Sequence, residues 1–215
     1  MSLKLYFHPL SSFCMKALVA LYETGTPFEK QIVDFSNEAQ RAEFYALWPI
    51  GKFPVLQDAA KDRLVPEGTI IIEYLAQHYP GGSRLIPADP DEAREVRLRD
   101  RIHDLYVNTL MQKVVTDKLR PEGQNDGFGV EEARTRLKAA LGIVEADMAG
   151  KQWAVGDAFT MADCAACPAL FYADKVMPLG ERHPNAAAYL ERLRGRPSFA
   201  RVLEEAQPYF ALFPG

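Results

Sequence analysis

Cysteine is scarce in this chain. Cys14, Cys164 and Cys167 are the only three among 215 residues. So small and odd a number builds no disulfide framework and fits a reducing compartment, so the cytoplasm is the expected location. Positive charge is not in excess either. The 25 lysines and arginines face 29 aspartates and glutamates, for a formal net charge of -4. That balance argues against a nucleic-acid partner and against a polybasic membrane anchor. No apolar run approaches the roughly 20 residues of a membrane-spanning helix. The opening MSLKLYF has no long apolar stretch, so no signal peptide is expected. Histidine is rare, and His8 and His103 have no partner at metal-ligand spacing, so no metal is expected. Internal repeats and low-complexity tracts are also missing.

What is present is an ordinary globular balance, 48% hydrophobic and 25% charged, which suffices for a sizeable core in one large domain or two small ones. The first 80 residues alternate strand and helix signals. Leu3 to Phe7 reads as a buried strand that Pro9 ends. Ser12 to Thr24 reads as a helix closed by Gly25. Phe28 to Phe35 alternates as a second strand, and a polar helix follows from Asn37 to Leu47. Ile50 to Asp58 reads as a turn and short strand with a hairpin partner at Arg63 to Val65. Gly68 to Tyr79 reads as a helix that stops at Pro80-Gly81-Gly82. The order β-α-β-α-β-β-α suits a small sheet with helices on its faces. Residues 80–90, rich in Pro, Gly, Asp and Ser, mark a linker. Beyond it the periodicity is helical only, over Glu92 to Lys118, Glu131 to Met148, Met161 to Lys175, Pro184 to Leu193 and Ser198 to Gln207. The expected division is 1–79, linker 80–90, and an all-helical 91–215.

Three segments carry signals of chemistry. At HPLSSFC a strand meets a helix, where free N–H groups and the positive helix end favour an anion, and Ser11 and Ser12 add hydroxyls. One of these serines could equally be a plain N-cap. Phe53-Pro54 in GKFPVL opens a strand after a turn and is a candidate cis bond, which would leave the Phe53 backbone free to pair with an extended peptide; an ordinary trans proline is the alternative. In VPEGT, Glu67, Gly68 and Thr69 begin a helix whose N–H groups could take a carboxylate or simply be capped. Lys52 could reach a carboxylate or be a solvated loop lysine.

Together and in this order, these segments resemble the glutathione transferase superfamily, across nearly the whole chain. SSFC sits where thioredoxins carry CxxC, with Ser11 in place of the first cysteine and Cys14 as the last. Theta-, phi- and delta-like transferases have a catalytic serine at the position matching Ser11. GKFPVL resembles the family's cis-proline loop. EGTIIIEYL resembles ESxAIxxYL, with Glu67, Ile71, Tyr74 and Leu75 in register. GDAFTMADCAACP resembles the helix-nucleating capping-box motif, and HPNAAAYLERLRGRPSF the C-terminal helix pair.

The resemblance implies an α/β thioredoxin-like N-terminal domain and an all-α C-terminal domain. It implies glutathione as co-substrate, bound by Ser11, Ser12, Lys52, Phe53, Pro54, Glu67, Gly68 and Thr69, with the Ser11 hydroxyl stabilising the thiolate. The family's usual serine after the glutamate is Gly68 here, so either Thr69 replaces it or the site binds glutathione more weakly. A small hydrophobic electrophile is expected between the domains, near Leu10, Tyr106, Leu110 and Met111. A homodimer is expected, with the arginine-rich helix from Glu92 facing a partner's acidic groups or only solvent. Alternatives are a glutathione-dependent isomerase or dehalogenase, and a non-catalytic glutathione-binding member. Reductase chemistry through Cys14 is a further alternative, although a core position suits it better. Cys164 and Cys167 form a nominal CxxC, but Thr160 and Asp163 read as a capping box that places both inside a helix.

Overall fold

A computed structural model describes residues 2–214. β1 (Leu3–Phe7) alternates as its sequence does, with Leu3, Leu5 and Phe7 buried. It lies centrally in a four-stranded mixed sheet of order β2-β1-β3-β4. β2 (Glu29–Ile32) runs parallel to it, β3 (Val55–Asp58) antiparallel, and β4 (Arg63–Pro66) antiparallel to β3. Leu5 stands opposite Leu56, and Leu56 opposite Val65, so the apolar face is continuous across three strands.

β2 is shorter than the alternation over 28–35 suggests. The Val33 N–H still reaches Phe7 O at 2.9 Å, but Asp34 then turns the chain by accepting from both the Ser36 N–H and hydroxyl. A side chain that offers the backbone a local partner ends the ladder at this edge.

α1 (Ser12–Thr24) and α3 (Gly68–His78) cover one face of the sheet, and α2 (Glu38–Leu47) covers the other. α1 is buried along most of its length and ends at Gly25 in the left-handed conformation (φ 64°). α2 contributes only Phe44, which packs on Val33 and Val55 in a small separate cluster. The segment 80–90 is tied down. Its 3-10 turn Gly82–Leu85 buries Leu85, and Arg84 donates to Glu23 O at 2.7 Å.

The remainder is helical, as expected. α4 (Pro90–Arg101) and α5 (Thr109–Asp117) form one rod, but a π segment, Ile102–Asn108, joins them. The reading of 92–118 as one plain α-helix is thereby corrected. The Thr109 hydroxyl, donating to Asp104 O at 2.9 Å, supports the widened turn. α6 (Gly127–Asp147) starts four residues before Glu131 because Asp126 caps it, accepting from Gly129 N at 2.9 Å. α7 (Met161–Val176) is the central helix of this half, and α8 (Pro184–Arg194) and α9 (Pro197–Ala206) complete it. The Thr160–Asp163 capping box is formed. The buried Asp163 carboxylate also accepts from Ala154 N at 2.9 Å and from the Tyr189 hydroxyl at 2.5 Å.

The two halves share one apolar core, with α1 packed on α7 and α9. Polar ties close the same seam. Tyr22 Oη donates to Glu205 at 2.7 Å, and Arg196 grips Glu23 bidentately at 2.7 and 2.8 Å.

Two glycines test this packing in opposite directions. A Cβ on Gly82 would collide with Leu75 O, whereas one on Gly142, mid-α6, meets nothing within 4 Å. Gly82→Ala is therefore expected to destabilise by about 1–3 kcal/mol. Gly142→Ala should stabilise by up to about 1 kcal/mol. Urea midpoints of the two variants check both signs.

Candidate functional site

The turn between β1 and α1 is fixed from both sides. Within it, Leu10 N donates to His8 Nδ1 at 3.2 Å and Ser11 N to His8 O at 3.0 Å. From the helical half, Tyr172 Oη donates to Leu10 O at 2.8 Å. Ser11 is the N-cap of α1. Its Oγ accepts from Cys14 N over a long 3.4 Å. Acting as acceptor there leaves its own O–H free to donate, at the positive end of the helix. Ser12 is placed differently. It is buried, and its Oγ accepts from Gln112 Nε2 on α5 at 3.3 Å.

The Phe53-Pro54 bond is cis, as expected. Phe53 is half-buried, its ring 5.2 Å from Phe35 and stacked at 6.0 Å on His8. Among the described residues its main-chain N–H and C=O are paired with no other backbone group. Pro54 is buried and Lys52 is exposed on the same loop.

Glu67 caps α3 with φ 71° and ψ 126° and makes no side-chain cap bond. A non-glycine residue held there costs about 1–3 kcal/mol, and such strain gathers at functional sites. Gly68 is where the three segments meet. A Cβ there would lie 3.1 Å from Phe13 O, 3.6 Å from Lys16 Cδ and 3.9 Å from Pro54 Cγ.

Thr69 does not offer a spare hydroxyl. Its Oγ1 donates to Asp100 Oδ2 at 2.9 Å and accepts from Lys16 Nζ at 2.7 Å, and Arg101 Nη2 also touches it. The idea that Thr69 replaces a serine at position 68 is corrected by this geometry. Around it lies a charged cluster that the sequence reading missed. Lys16, 0% exposed, places its ammonium 2.5 Å from Asp100 and 2.7 Å from Asp104. Arg101 closes the cluster at 2.8 Å from Asp100 and 3.1 Å from Asp104. Burial pushes the Asp104 carboxyl up against the opposing pull of Lys16.

The other arginines of α4 have ion-pair partners within the chain. Arg94 pairs with Asp91, Arg97 with Glu73, and Arg99 with Glu95 and Asp147.

Beside the α1 turn lies an apolar cleft of about 200 Å³. Leu10, Ser12, Met111, Val115, Tyr172 and Phe213 are among its walls. Leu10 and Met111 were expected there. Tyr106, 57% exposed, and Leu110 lie outside it. Tyr172, Gln112 and the segment around Phe213 were missed, since nothing local marks residues that meet the turn from so far along the chain.

All three cysteines are fully buried and unpaired in disulfides. Burial pushes the Cys14 thiol up to about 12, against the smaller opposing pull of its bond to Ser11. Burial likewise raises Cys164 and Cys167, inside α7. Their thiolates are thus disfavoured at neutral pH, and none is disposed to act as nucleophile. A thiol-exchange reagent is expected to find no fast-reacting cysteine in the native protein and three after denaturation. One rapid native equivalent would show that Cys14 is reachable.

Comparison with known proteins gives this geometry a setting. Residues 1–77 match the glutathione S-transferase N-terminal domain and residues 127–192 the glutathione S-transferase C-terminal domain. Glutathione S-transferase 3 of Zea mays is 33% identical over 94% of this chain and 93% of its own. A glutathione S-transferase of Methylobacillus flagellatus, solved with glutathione bound, superposes with a TM-score of 0.84 at 25% identity, covering 94% of this chain and 98% of that one. Another, from Methylobacterium radiotolerans in complex with glutathione sulfonate, gives 0.78 at 27% identity over 93% of each chain. A sheet of order β2-β1-β3-β4 with a cis-proline loop, docked on a bundle around α7, is therefore the family's fold, and the chain belongs to the glutathione S-transferase family.

Proposed function

We propose that this protein binds glutathione against the starts of α1 and α3 and directs its thiolate at an apolar electrophile in the adjoining cleft. One observation carries the reading. The uncommitted Ser11 hydroxyl stands at the positive end of α1, and its neighbours Leu10 and Ser12 line the cleft.

The chemistry follows from charge. A thiol with a pKa near 8.5 is mostly protonated at neutral pH, and only the thiolate attacks. Lowering that pKa by about two units requires roughly 2.7 kcal/mol of preferential thiolate binding. A hydroxyl donor and a helix N-terminus both favour the anion. Ser11 therefore stabilises the sulfur and does not itself attack. The thiolate bonds to the electrophilic carbon and the leaving group departs with the electron pair. Holding both reactants in one cleft adds the proximity effect.

Lys52 is proposed to meet the glycyl carboxylate, the free Phe53 backbone beside Pro54 to pair with the peptide, and Glu67 with the N–H groups of Gly68 and Thr69 to hold the γ-glutamyl end. Ser12 is proposed to contribute to the wall of the cleft beside the thiol. The proposed domains are 1–79 and 91–215, joined by 80–90, in a cytoplasmic homodimer. Ile70 on α3 and Leu98, Leu105 and Tyr106 on the rod are large exposed apolar side chains, which suits a partner surface there.

Calorimetry with glutathione and a conjugation assay over an electrophile panel test the function. No binding at millimolar glutathione and no turnover would overturn it. Ser11→Ala should raise the bound thiol's pKa and cut turnover at neutral pH, with partial recovery in alkali, where the thiolate forms unaided. Ultraviolet absorbance of the thiolate against pH reads this directly. If Ser12→Ala shifts that curve and Ser11→Ala does not, the role belongs to Ser12.

Position 68 gives a second test. Gly68→Ala adds only the tight Cβ contact with Phe13 O, whereas Gly68→Ser adds a hydroxyl as well. Relative to the alanine variant, serine should tighten glutathione binding by about 0.5–1.5 kcal/mol if the hydroxyl bonds the ligand. Equal affinities would show that it does not.

A further inference from the structure

We infer that the electrophile taken by this protein carries a carboxylate at the end of an apolar stem, and that Lys118, Arg134 and Lys175 receive that carboxylate. The inference rests on the glutathione site proposed above and names the class of its second substrate.

The cleft beside the α1 turn has a continuation. Val115, Phe213 and Pro214, which wall the cleft, also wall a second hollow of about 210 Å³. Lys118, Arg134 and Lys175 line that hollow, and among the described residues no aspartate or glutamate does. The shared wall is held in place from the α1 turn. Tyr172 Oη donates to Leu10 O at 2.8 Å, and the Phe213 ring stacks on Tyr172 with centroids 5.2 Å apart. A molecule lying along this wall has one end beside Leu10 and Ser12, the neighbours of Ser11, and the other among three cations.

The cations come from three helices. Lys118 is the C-cap of α5, Arg134 stands on α6, and Lys175 lies in the last turn of α7. The carboxylates nearest to them in sequence are engaged elsewhere. Asp117 accepts from Asp126 N at 2.8 Å and pairs with Arg120 at 3.3 Å. Asp174 accepts from Leu179 N at 3.0 Å and lies 3.7 Å from Arg194. Glu131, 78% exposed, comes only to 4.0 Å of Arg134. Among the described residues no carboxylate oxygen lies within 4.0 Å of Lys118 Nζ or Lys175 Nζ. The Lys175 ammonium instead lies 5.0 Å from the Phe171 ring centre and 5.6 Å from that of Phe210. Ring faces hold a cation in place without cancelling its charge.

Helix C-termini attract cations on their own account, and Arg134 Nη1 does donate to Val176 O at 3.2 Å. That uses one of five guanidinium donors. Capping also gives no reason for three cations from separate helices to line one hollow that opens from an apolar cleft. Like charges so gathered repel one another, and an anion between them relieves the repulsion. In the reaction the thiolate sulfur bonds to the electrophilic carbon, the leaving group departs with the electron pair, and the distant carboxylate stays unchanged. A contact so far from the reacting atoms acts alike on ground state and transition state, so it lowers KM and leaves kcat in place.

The test varies the charge on the tail and on the protein. Calorimetry on the full chain would compare S-(ω-carboxyalkyl)glutathiones of graded chain length with their ω-methyl esters, and kinetics would compare ω-bromoalkanoates with their methyl esters. At the length that spans the cleft, the free acid is expected to bind about 5- to 20-fold more tightly than the ester and to have a KM lower by a similar factor. Lys118→Gln with Lys175→Gln, both at exposed positions, should bring the acid-to-ester ratio close to one, and Lys175→Glu should lower it further. No preference for the acid at any length overturns the inference. So does a preference that these substitutions leave intact, or an equal loss for acid and ester, which would mean that the lysines only support the cleft. Failure of the wild-type protein to bind glutathione or any S-substituted glutathione would instead overturn the glutathione site itself.

Discussion

An ammonium group sealed from water has to be matched where it lies, and Lys16 imposes that condition on the whole fold. A buried ion retains a penalty of several kcal/mol unless its partners are close and well placed. Lys16 projects from α1, and its partners come from the first turn of α3 and from both sides of the α4–π junction. Displacing any one of those elements would strand a charge. The cluster therefore fixes three elements to one another more strictly than apolar contact, which tolerates sliding, would do. Such a cluster is weak evidence for added stability, because apolar packing of the same volume often does as well. Its effect is on register.

Register matters because the cleft is assembled from both halves. Leu10 and Ser12 precede and begin α1, whereas Met111 and Val115 stand on the rod and Tyr172 on α7. The Tyr172–Leu10 and Gln112–Ser12 hydrogen bonds span the same gap. Ser11 sits between these anchored neighbours. Its own cap bond is long, so its placement owes more to the residues on either side than to its own hydroxyl. A hydroxyl relieved of structural duty in this way can serve an incoming anion without dismantling the turn.

How much of this the sequence disclosed depended on how local each cause was. The alternation of Leu3, Leu5 and Phe7, the Gly25 stop and the Thr160–Asp163 box each act within a few residues, and each reads directly as the element that forms. The π segment does not, since apolar spacing over Ile102 to Met111 is compatible with plain α-helix and a change from i→i+4 to i→i+5 bonding leaves little compositional trace. The start of α6 was hidden because Gly127 and Gly129 look like loop, while the Asp126 cap overrides them. Nothing local marks Lys16 as buried, because its partners lie 53 and 88 residues away. The family resemblance supplied the order of the three site segments, but not the occupancy of any hydroxyl within them.

That last point decides between residues of the same chemical type. Ser11 and Thr69 both carry a hydroxyl at a helix start in the site, and by composition either could bind an anion. A hydroxyl has one proton to donate. Thr69 commits its proton to Asp100 and its lone pairs to cations, so an arriving carboxylate finds no donor on it. Ser11 accepts one long bond and commits no proton, so a thiolate finds a donor there. Cys14, three residues further into the helix, is excluded for the opposite reason: burial denies its anion any solvation and the core keeps it protonated. The division of labour at this site is thus set by what each polar atom has already bonded to, a property of the folded neighbourhood.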